Sequence, residues 1–500
     1  MRMLQYSLPV YTPAEVQALD RYAIEVAGIP GHLLMARAGR AAWQGLRERV
    51  PQARQVLVLC GGGNNGGDGY VIARLAADAG WQVTLCPLVA PDQLQGDAAA
   101  AAADAMRVVV PEEFSTEALA QSDVVVDALL GTGLDRPVTG AWAEVIDAVN
   151  AAGKPLFAID VPSGLSARTG QVLGCAIRAQ WTMSFIGRKQ GLYTGNAPDY
   201  VGELLFDDLG VPASVYASKP ITKGILQPAA LPGLLPRRRR SAHKGHFGHV
   251  LVIGGDHGMG GAVRIAGEAA ARTGAGLVSV ATRPVQVAPL LAARPELMVH
   301  GVEDMTALSV CLSRASVVAL GPGLGQADWG QAMFNELINK PAWQKALVVD
   351  ADGLNLLALA PQYREDWILT PHPGEAARLL DCTVAEIEAD RFAAVDALVE
   401  RYGGVVVLKG AGTLIGDGSR HQINAMYNPG MASGGMGDAL TGIIAGLLAQ
   451  GLASWEAANA GVLLHAQAAK RAAVSGERGL LASDLLSELR SEVNPTDAFS

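Results

Sequence analysis

The sequence predicts two α/β domains built on largely parallel sheets, and three observations predict them. At 500 residues the chain is too long for one compact core, since domains run to roughly 150 residues each. Its apolar runs are continuous rather than alternating, as in strands covered on both faces. Segments of helical period separate those runs, which is the βαβ signature. Composition agrees. Half the residues are hydrophobic and only 17% are charged, which argues against a disordered chain or a coiled coil. The 59 glycines point to tight turns and close backbone approaches. A net charge of -9 makes nucleic acid a poor partner, because phosphate neutralisation needs a basic face. The five cysteines are scattered, with no CxxC, so neither a disulfide frame nor a zinc site is expected. They read as small buried residues in a reducing cytoplasm.

The elements follow in order. The opening MRMLQYSLPVYTP lacks the apolar core of a signal peptide. Thr12-Pro13-Ala14-Glu15 announces the first helix, with a threonine cap, proline at the first turn and a capping-box glutamate. Strands are then expected at QVLVL (55–59), QVTLCPL (82–88), VVVDALL (124–130) and PLFAID (155–160). Between 207 and 247 five prolines and the run Arg237–Arg240 change the texture, which reads as a domain connection with a solvated basic edge. The expected boundaries are a first domain over 1–215, a linker over 216–240 and a second domain over 241–495. The second series runs through HVLVIGGD (249–256), GLVSVAT (276–282), SVVALGPG (316–323), ALVVDADGLN (346–355) and VVVLKGAGT (405–413). The uncharged stretch Ala439–Trp455 is short for a bilayer span and is expected to be a buried helix, so no membrane partner is expected.

Chemistry concentrates in glycine loops at strand ends. Gly61, Gly63 and Gly66 fit G-x-G-x-x-G before a helix, a setting that suits phosphate. The next strand ends Leu88-Val89-Ala90, without the acid that holds a ribose in the standard dinucleotide site. The loop also holds Asn64, Asn65 and Asp68, which suit a cation or oriented hydroxyls as well as phosphate. Asp127, Asp160 and Ser163 fall at further strand ends. In a parallel sheet those ends open into one crevice, so Asn65, Asp127, Asp160 and Ser163 are expected to converge. An oxygen-rich set of that kind suits a hard cation. In the second half, Gly434-Gly435-Met436-Gly437-Asp438 opens an apolar helix. Its bare amides make an anion hole beside one carboxylate, the arrangement needed for phosphoryl transfer to a hydroxyl. Lys409 with the loop Gly410-Ala411-Gly412-Thr413, His372 between two prolines, Asp350 and Asp352, and Gly321–Gly325 lie at other strand ends and would supply nucleotide, Mg²⁺ or sugar contacts. No P-loop is present.

These motifs together resemble the bifunctional NAD(P)H-hydrate repair enzymes along essentially the whole chain. N-N-G-G-D-G (64–69), V-D-A-L-L-G-T-G-L (126–134) and D-V-P-S-G (160–164) resemble the epimerase half. H-K-G-H-F-G-H-V (243–250), G-P-G-L-G (321–325), T-P-H-P-G-E (370–375), L-K-G-A-G-T (408–413) and G-G-M-G-D (434–438) resemble the nucleotide-dependent dehydratase half. The resemblance implies a Rossmann-like first domain and a ribokinase-like second one, acting on hydrated NADH and NADPH. It implies potassium at Asn65, Asp127 and Ser163. It implies hydrate contacts from Asn64, Asn65, Gly66, Gly67 and Asp68, from Gly131, Thr132, Gly133, Leu134, Asp135, Arg136 and Pro137, and from Asp160, the acid/base residue. In the second domain it implies hydrate contacts from Ala262, Gly323, His372 and Asp438. Adenine-nucleotide contacts fall on Lys409, Gly410, Ala411, Gly412, Thr413 and Gly437, with Mg²⁺ accompanying ADP or ATP. The family often has proline where Gly63 stands and glutamate where Ala36 stands; neither position carries an assigned role.

The expected chemistry is interconversion of the R and S hydrates in the first domain and dehydration of the S form in the second. Asp438 would deprotonate the hydrate hydroxyl, the terminal phosphoryl would move to that oxygen, and phosphate would leave as the dihydronicotinamide re-forms. The sequence leaves three rivals open: a small-molecule kinase with an appended domain, a non-catalytic first domain, and a hydride-transferring dehydrogenase. A cytoplasmic location is expected, and a homo-oligomer, up to a tetramer, is compatible with such domains.

Overall fold

The computed structural model describes residues 7–338 and 345–494. The chain divides into two compact units, Pro9–Ile221 and a second unit that begins at Thr222 and also takes in the residues up to Leu8. The short strand β1 (Leu8–Pro9) lies at the edge of the second unit's sheet.

The first unit holds β2 (Gln55–Cys60), β3 (Gln82–Pro87), β4 (Val124–Ala128), β5 (Leu156–Ile159), β6 (Trp181–Phe185) and β7 (Glu203–Asp207). Their order is β3-β2-β4-β5-β6-β7, and every pairing is parallel. The chain runs from β2 out to β3 and then doubles back past β2 to β4. That reversal opens a crevice at the C-terminal ends of β2 and β4, where doubly wound sheets bind ligands. Three helices wall it: α1 (Pro13–Glu25), α2 (Gly31–Arg49) and α3 (Asn64–Asp78). Helix α1 starts as its sequence dictates. The Thr12 hydroxyl accepts from the Glu15 amide at 3.2 Å, and the Glu15 carboxylate accepts from the Thr12 amide at 2.7 Å.

The second unit carries β8 (Lys223–Ile225), β9 (His249–Ile253), β10 (Leu277–Thr282), β11 (Met298–Gly301), β12 (Val317–Leu320), β13 (Ala346–Val349), β14 (Trp367–Leu369), β15 (Val405–Leu408), β16 (Thr413–Gly416) and β17 (His421–Asn424). The sheet order is β1-β8-β17-β16-β15-β14-β13-β12-β9-β10-β11. The run from β11 to β15 is wholly parallel, and β16 and β17 add an antiparallel hairpin. Strand β8 lies inside the stretch 216–240 that its prolines mark as a connection, and it pairs with β17.

The apolar stretch from Ala439 is not one helix. The helix Met436–Ala449 ends before a turn at Gly451, φ +93°, and a second helix runs Ser454–Ala472. No described helix is long and apolar enough to cross a membrane. The Met436–Ala449 helix packs very closely on the helix Gly260–Thr273. A β-carbon at Gly442 would lie 2.0 Å from the Ala266 carbonyl oxygen, so only glycine permits this approach. The contact fixes the helix start that carries Asp438.

Two candidate active sites at strand ends

In the first unit a cavity of about 560 Å³ opens at the crevice. Asn64, Asn65 and Asp68 line it, with Gly131, Thr132, Gly133, Leu134, Asp135 and Arg136 from the loop after β4, and Asp160 from the end of β5. Gly66, Gly67 and Pro137 do not line it. Gly66 and Gly67 are buried in α3, and a β-carbon on Gly66 would meet the Gly61 carbonyl at 2.0 Å. They shape the turn that carries Asn64 and Asn65.

Asp127 and Ser163 are fully buried and bonded to each other. The Ser163 hydroxyl donates to Asp127 Oδ1 at 2.6 Å and its amide to Oδ2 at 2.8 Å. The Leu130 amide donates to Ser163 Oγ at 2.8 Å. Burial pushes the Asp127 carboxyl up to about 6, although its bonds from Ser163 pull the other way. Asn65 completes the group from α3. Both polar atoms of its side chain are buried without a hydrogen-bond partner, and its amide packs against Gly131. An orphaned buried amide costs stability unless a ligand engages it.

Asp160 sits at φ +66°, a strained backbone for a residue other than glycine and one that clusters at functional sites. Its carboxylate pairs with Lys189 Nζ. Lys189 is almost fully buried and also donates to Ser184 Oγ at 3.2 Å and the Phe185 carbonyl at 2.9 Å. Asp20 of α1 lines the same cavity, and burial raises it to about 6 against the pull of Lys189. Asp68 is raised well above the usual carboxylate range by burial and then by Asp160. Sequence reasoning missed Lys189 and Asp20. The signal for Lys189 was its place just after W-T-M-S-F, had that been read as a strand. Asp20 stands out only as an acid four residues after Val16, beside the apolar stripe Val16-Leu19-Ala23.

In the second unit, Gly435 at φ +89° starts the helix Met436–Ala449, with no side chain capping it. Its first amides are free for an anion. Lys409 Nζ lies at this helix start, 3.2 Å from where a β-carbon on Gly437 would stand. It bonds Asp350 Oδ1 at 2.7 Å and stands 3.7 Å from Glu375 Oε2. Thr441 donates to the other oxygen of Asp350 at 2.7 Å. Burial raises Asp350, but Lys409 and the hydroxyl donors outweigh it and hold the group below its usual range. Asp438 is pushed up to about 7, by burial first and then by Asp350, with Lys409 opposing. A carboxylate poised there is matched to general-base work at neutral pH.

His372 caps the helix Pro373–Leu380, its Nδ1 accepting from the amides of Gly374 and Glu375 at 3.0 and 3.3 Å. That leaves the proton on Nε2, and burial lowers the ring's basicity further. Asp352 accepts from the Gly325 amide at 2.9 Å, tying the Gly321–Gly325 loop to the cluster. Ala351 between the two aspartates has φ +48°. Ala262 and Gly323 are neighbours: a β-carbon on Gly323 would meet Ala262 Cβ at 3.2 Å. The Gly410–Thr413 loop is braced by buried Arg391, which donates to the Lys409 carbonyl at 3.1 Å, and the Thr413 hydroxyl closes it on the Gly410 carbonyl at 2.9 Å. Thr441 and Arg391 were not anticipated: Thr441 lies one turn beyond Asp438 in an otherwise apolar helix, and Arg391 opens a helix with no glycine loop beside it.

The comparisons with known proteins agree with both halves. The family described as NAD(P)H-hydrate dehydratase matches residues 250–491, and the YjeF-related protein N-terminus matches residues 31–191. A bifunctional NAD(P)H-hydrate repair enzyme of Coxiella burnetii is 50% identical over 492 residues, which is 97% of this chain and 99% of that one. One of Escherichia coli is 46% identical over 511 residues, covering 99% and 96%. Among solved structures, a ribokinase-like superfamily protein of Enterococcus faecalis aligns with a TM-score of 0.52 at 30% identity, covering 54% of this chain and 95% of that one. The chain belongs to the bifunctional NAD(P)H-hydrate repair enzymes.

Proposed function

We propose that the first unit interconverts the R and S hydrates of NADH and NADPH, and that the second dehydrates the S form at the expense of ADP or ATP. The observation that carries this is Asp438, raised to about 7, at an uncapped helix start beside Lys409. Asp438 takes the proton of the hydrate hydroxyl. That oxygen accepts the terminal phosphoryl group, whose charge the free amides and Lys409 stabilise. Phosphate then leaves with the help of the ring nitrogen's lone pair, the neighbouring ring carbon gives up its proton, and the ring double bond re-forms. Phosphorylation turns a poor leaving group into a good one, which accounts for a dehydration that consumes a nucleotide.

Lys409, Gly410, Ala411, Gly412, Thr413 and Gly437 hold the nucleotide in this reading. Ala262, Gly323 and His372 join Asp438 on the hydrate. Among the described residues no set of three His, Cys, Asp or Glu side chains is placed to hold a metal. Mg²⁺ bound with the nucleotide would neutralise phosphate charge there. In the first unit the buried and unpartnered Asn65 amide, the Asp127 carboxylate and the Ser163 hydroxyl form an all-oxygen set that fits potassium. Bound there, the ion would offset the buried charge of Asp127 and fix the loop after β4. Asp160 is the acid/base group and Lys189 positions it. The reading places the protein in the cytoplasm, where its five cysteines, none of them disulfide-bonded, stay reduced.

The test uses purified protein, both hydrates of NADH, Mg²⁺, K⁺ and either ADP or ATP, following the return of dihydronicotinamide absorbance. Full recovery from both epimers is expected, and it names the phosphoryl donor. Recovery of the S share alone would remove the epimerase assignment. Accumulation of a stable phosphorylated product would convert the second unit to a kinase.

A further inference from the structure

Asp20, Asp68 and Asp160 line the first cavity together with Lys189. Asp160 is committed to Lys189. Asp20 and Asp68 line the same space, and neither makes a hydrogen bond or an ion pair to another described residue. Asp68 belongs to the glycine loop. Asp20 comes from a different wall: Val16, Gln17, Asp20 and Ile24 form one stripe of α1, at the spacing that puts them on one helix face. Asp20 is the eighth residue of α1, too far from either end to serve as a cap. A carboxyl left largely enclosed and unpartnered is costly, and burial accordingly raises it to about 6, with Lys189 opposing and Asp160 adding to the rise.

The reaction needs two proton-handling groups. A dihydronicotinamide is hydrated when its enamine carbon takes a proton and the carbon beside the ring nitrogen takes the water oxygen. The R and S forms differ at that carbon. Their exchange breaks its C–O bond: the hydroxyl takes a proton and leaves as water, and the nitrogen lone pair closes to C=N. Water then adds to the opposite face and releases a proton. One proton enters, one leaves, and no electrons change hands. An acid is needed for the departing hydroxyl and a base for the incoming water, and a pair of titratable groups with divergent environments supplies both.

Resting on the reading of this unit as an epimerase, we infer that Asp20 is the second proton-transfer group of the cavity, protonating the departing hydroxyl while Asp160 deprotonates the incoming water. In the reverse direction the two exchange tasks. The charged groups facing Asp20 are Lys189, Asp160 and Asp68, and Asp97, Asp135 and Arg136 also line the cavity.

The test compares the full chain with its Asp20→Asn and Asp20→Glu variants, separating the R and S hydrates by chromatography and using dehydration of the S form as an internal control. For Asp20→Asn, kcat of epimerisation is expected to fall 10²–10⁴-fold with little change in KM. The limb of the kcat profile near pH 6 should vanish, Asp20→Glu should restore part of the rate, and S-form dehydration should be unchanged. Epimerisation within threefold of the parent with the same pH profile overturns the inference, and so does a change confined to KM. If Asp20→Asn lowers the thermal midpoint, Asp20→Glu decides: partial activity supports the role, and none in a folded protein removes it. A parent chain that dehydrates the S form yet never exchanges the epimers refutes the epimerase reading itself, whatever Asp20 does.

Discussion

Replacing Asp438 with asparagine should make the second unit more stable and chemically dead. The carboxyl goes from an ordinary value of 3.8 to about 7 on folding, because it is buried and faces Asp350. A carboxyl raised by folding favours the protonated native state, so its contribution is fully present below the unfolded value and is lost as pH rises through the folded one. At 1.36 kcal/mol per pH unit the gap costs the folded state about 4 kcal/mol once Asp438 is ionised. Asparagine never ionises, so the variant's advantage should be under about 1 kcal/mol at pH 4, about 2 kcal/mol at pH 5 and about 4 kcal/mol at pH 8. At roughly 2–4 °C per kcal/mol this is about 10 °C in midpoint at pH 8. The assay is thermal unfolding of the full chain across that range without nucleotide or Mg²⁺, following the transition that ADP shifts. Dehydration should fall about 10²–10⁴-fold while epimerisation persists. A stability difference that does not grow with pH would refute the placement of Asp438 among buried anions. Near-normal dehydration would refute its role as base.

The remaining expectations concern both units. Lys189→Met leaves the Asp160 carboxylate without its partner, and breaking a buried pair costs about 3–5 kcal/mol; epimerisation and the first unit's midpoint should both drop, with S-form dehydration intact. Potassium should raise the first unit's thermal midpoint over choline at equal ionic strength, by up to about 2.7 kcal/mol when the ion is a hundredfold above its Kd. Asp127→Asn should abolish that rise, and an unchanged response would remove the cation site. Gly442→Ala places a methyl 2.0 Å from the Ala266 carbonyl and should cost about 3 kcal/mol. Gly434→Ala, which meets nothing within 4 Å, should stay within about 0.5 kcal/mol of the parent.

The candidate sites were legible where chemistry sits in glycine loops at the ends of fully apolar strands. VVVDA reads as a covered strand and is buried at every position, so Asp127 could be placed at a strand end and Asp160 after β5. Strand β6 was left unread although W-T-M-S-F alternates as a half-exposed strand would. Thr182 and Ser184 are nonetheless buried. The threonine hydroxyl bonds the Val201 carbonyl at 2.8 Å and the serine hydroxyl accepts from Lys189 at 3.2 Å. Those local bonds offset the cost of burying polar groups and hide the strand's environment from its pattern. With β6 unseen, Lys189 had no strand end to mark it. Strand β7 (E-L-L-F-D) is an edge strand whose residues stay partly exposed, and such edges carry charge that blurs the signal. The hairpin β16–β17 was missed because Thr413–Asn424 directly follows the glycine loop after β15 and reads as its continuation.

The placement of β1 has a consequence for how the chain can be cut and how it is made. Leu8 belongs to the second unit, and the strand it begins borders β8. Just before it, Ser7 meets Gln422 at 3.4 Å. Leu8 therefore waits through more than two hundred later residues before its sheet exists. An expression fragment beginning at Thr222 would lack that border and leave the backbone of β8 open along one side, a template for pairing with another copy. A fragment ending at Ile221 loses nothing of its own sheet. The two halves are thus unequal as separable parts: the epimerase-like half keeps its whole sheet, and the dehydratase-like half is bordered by a strand that precedes the other half.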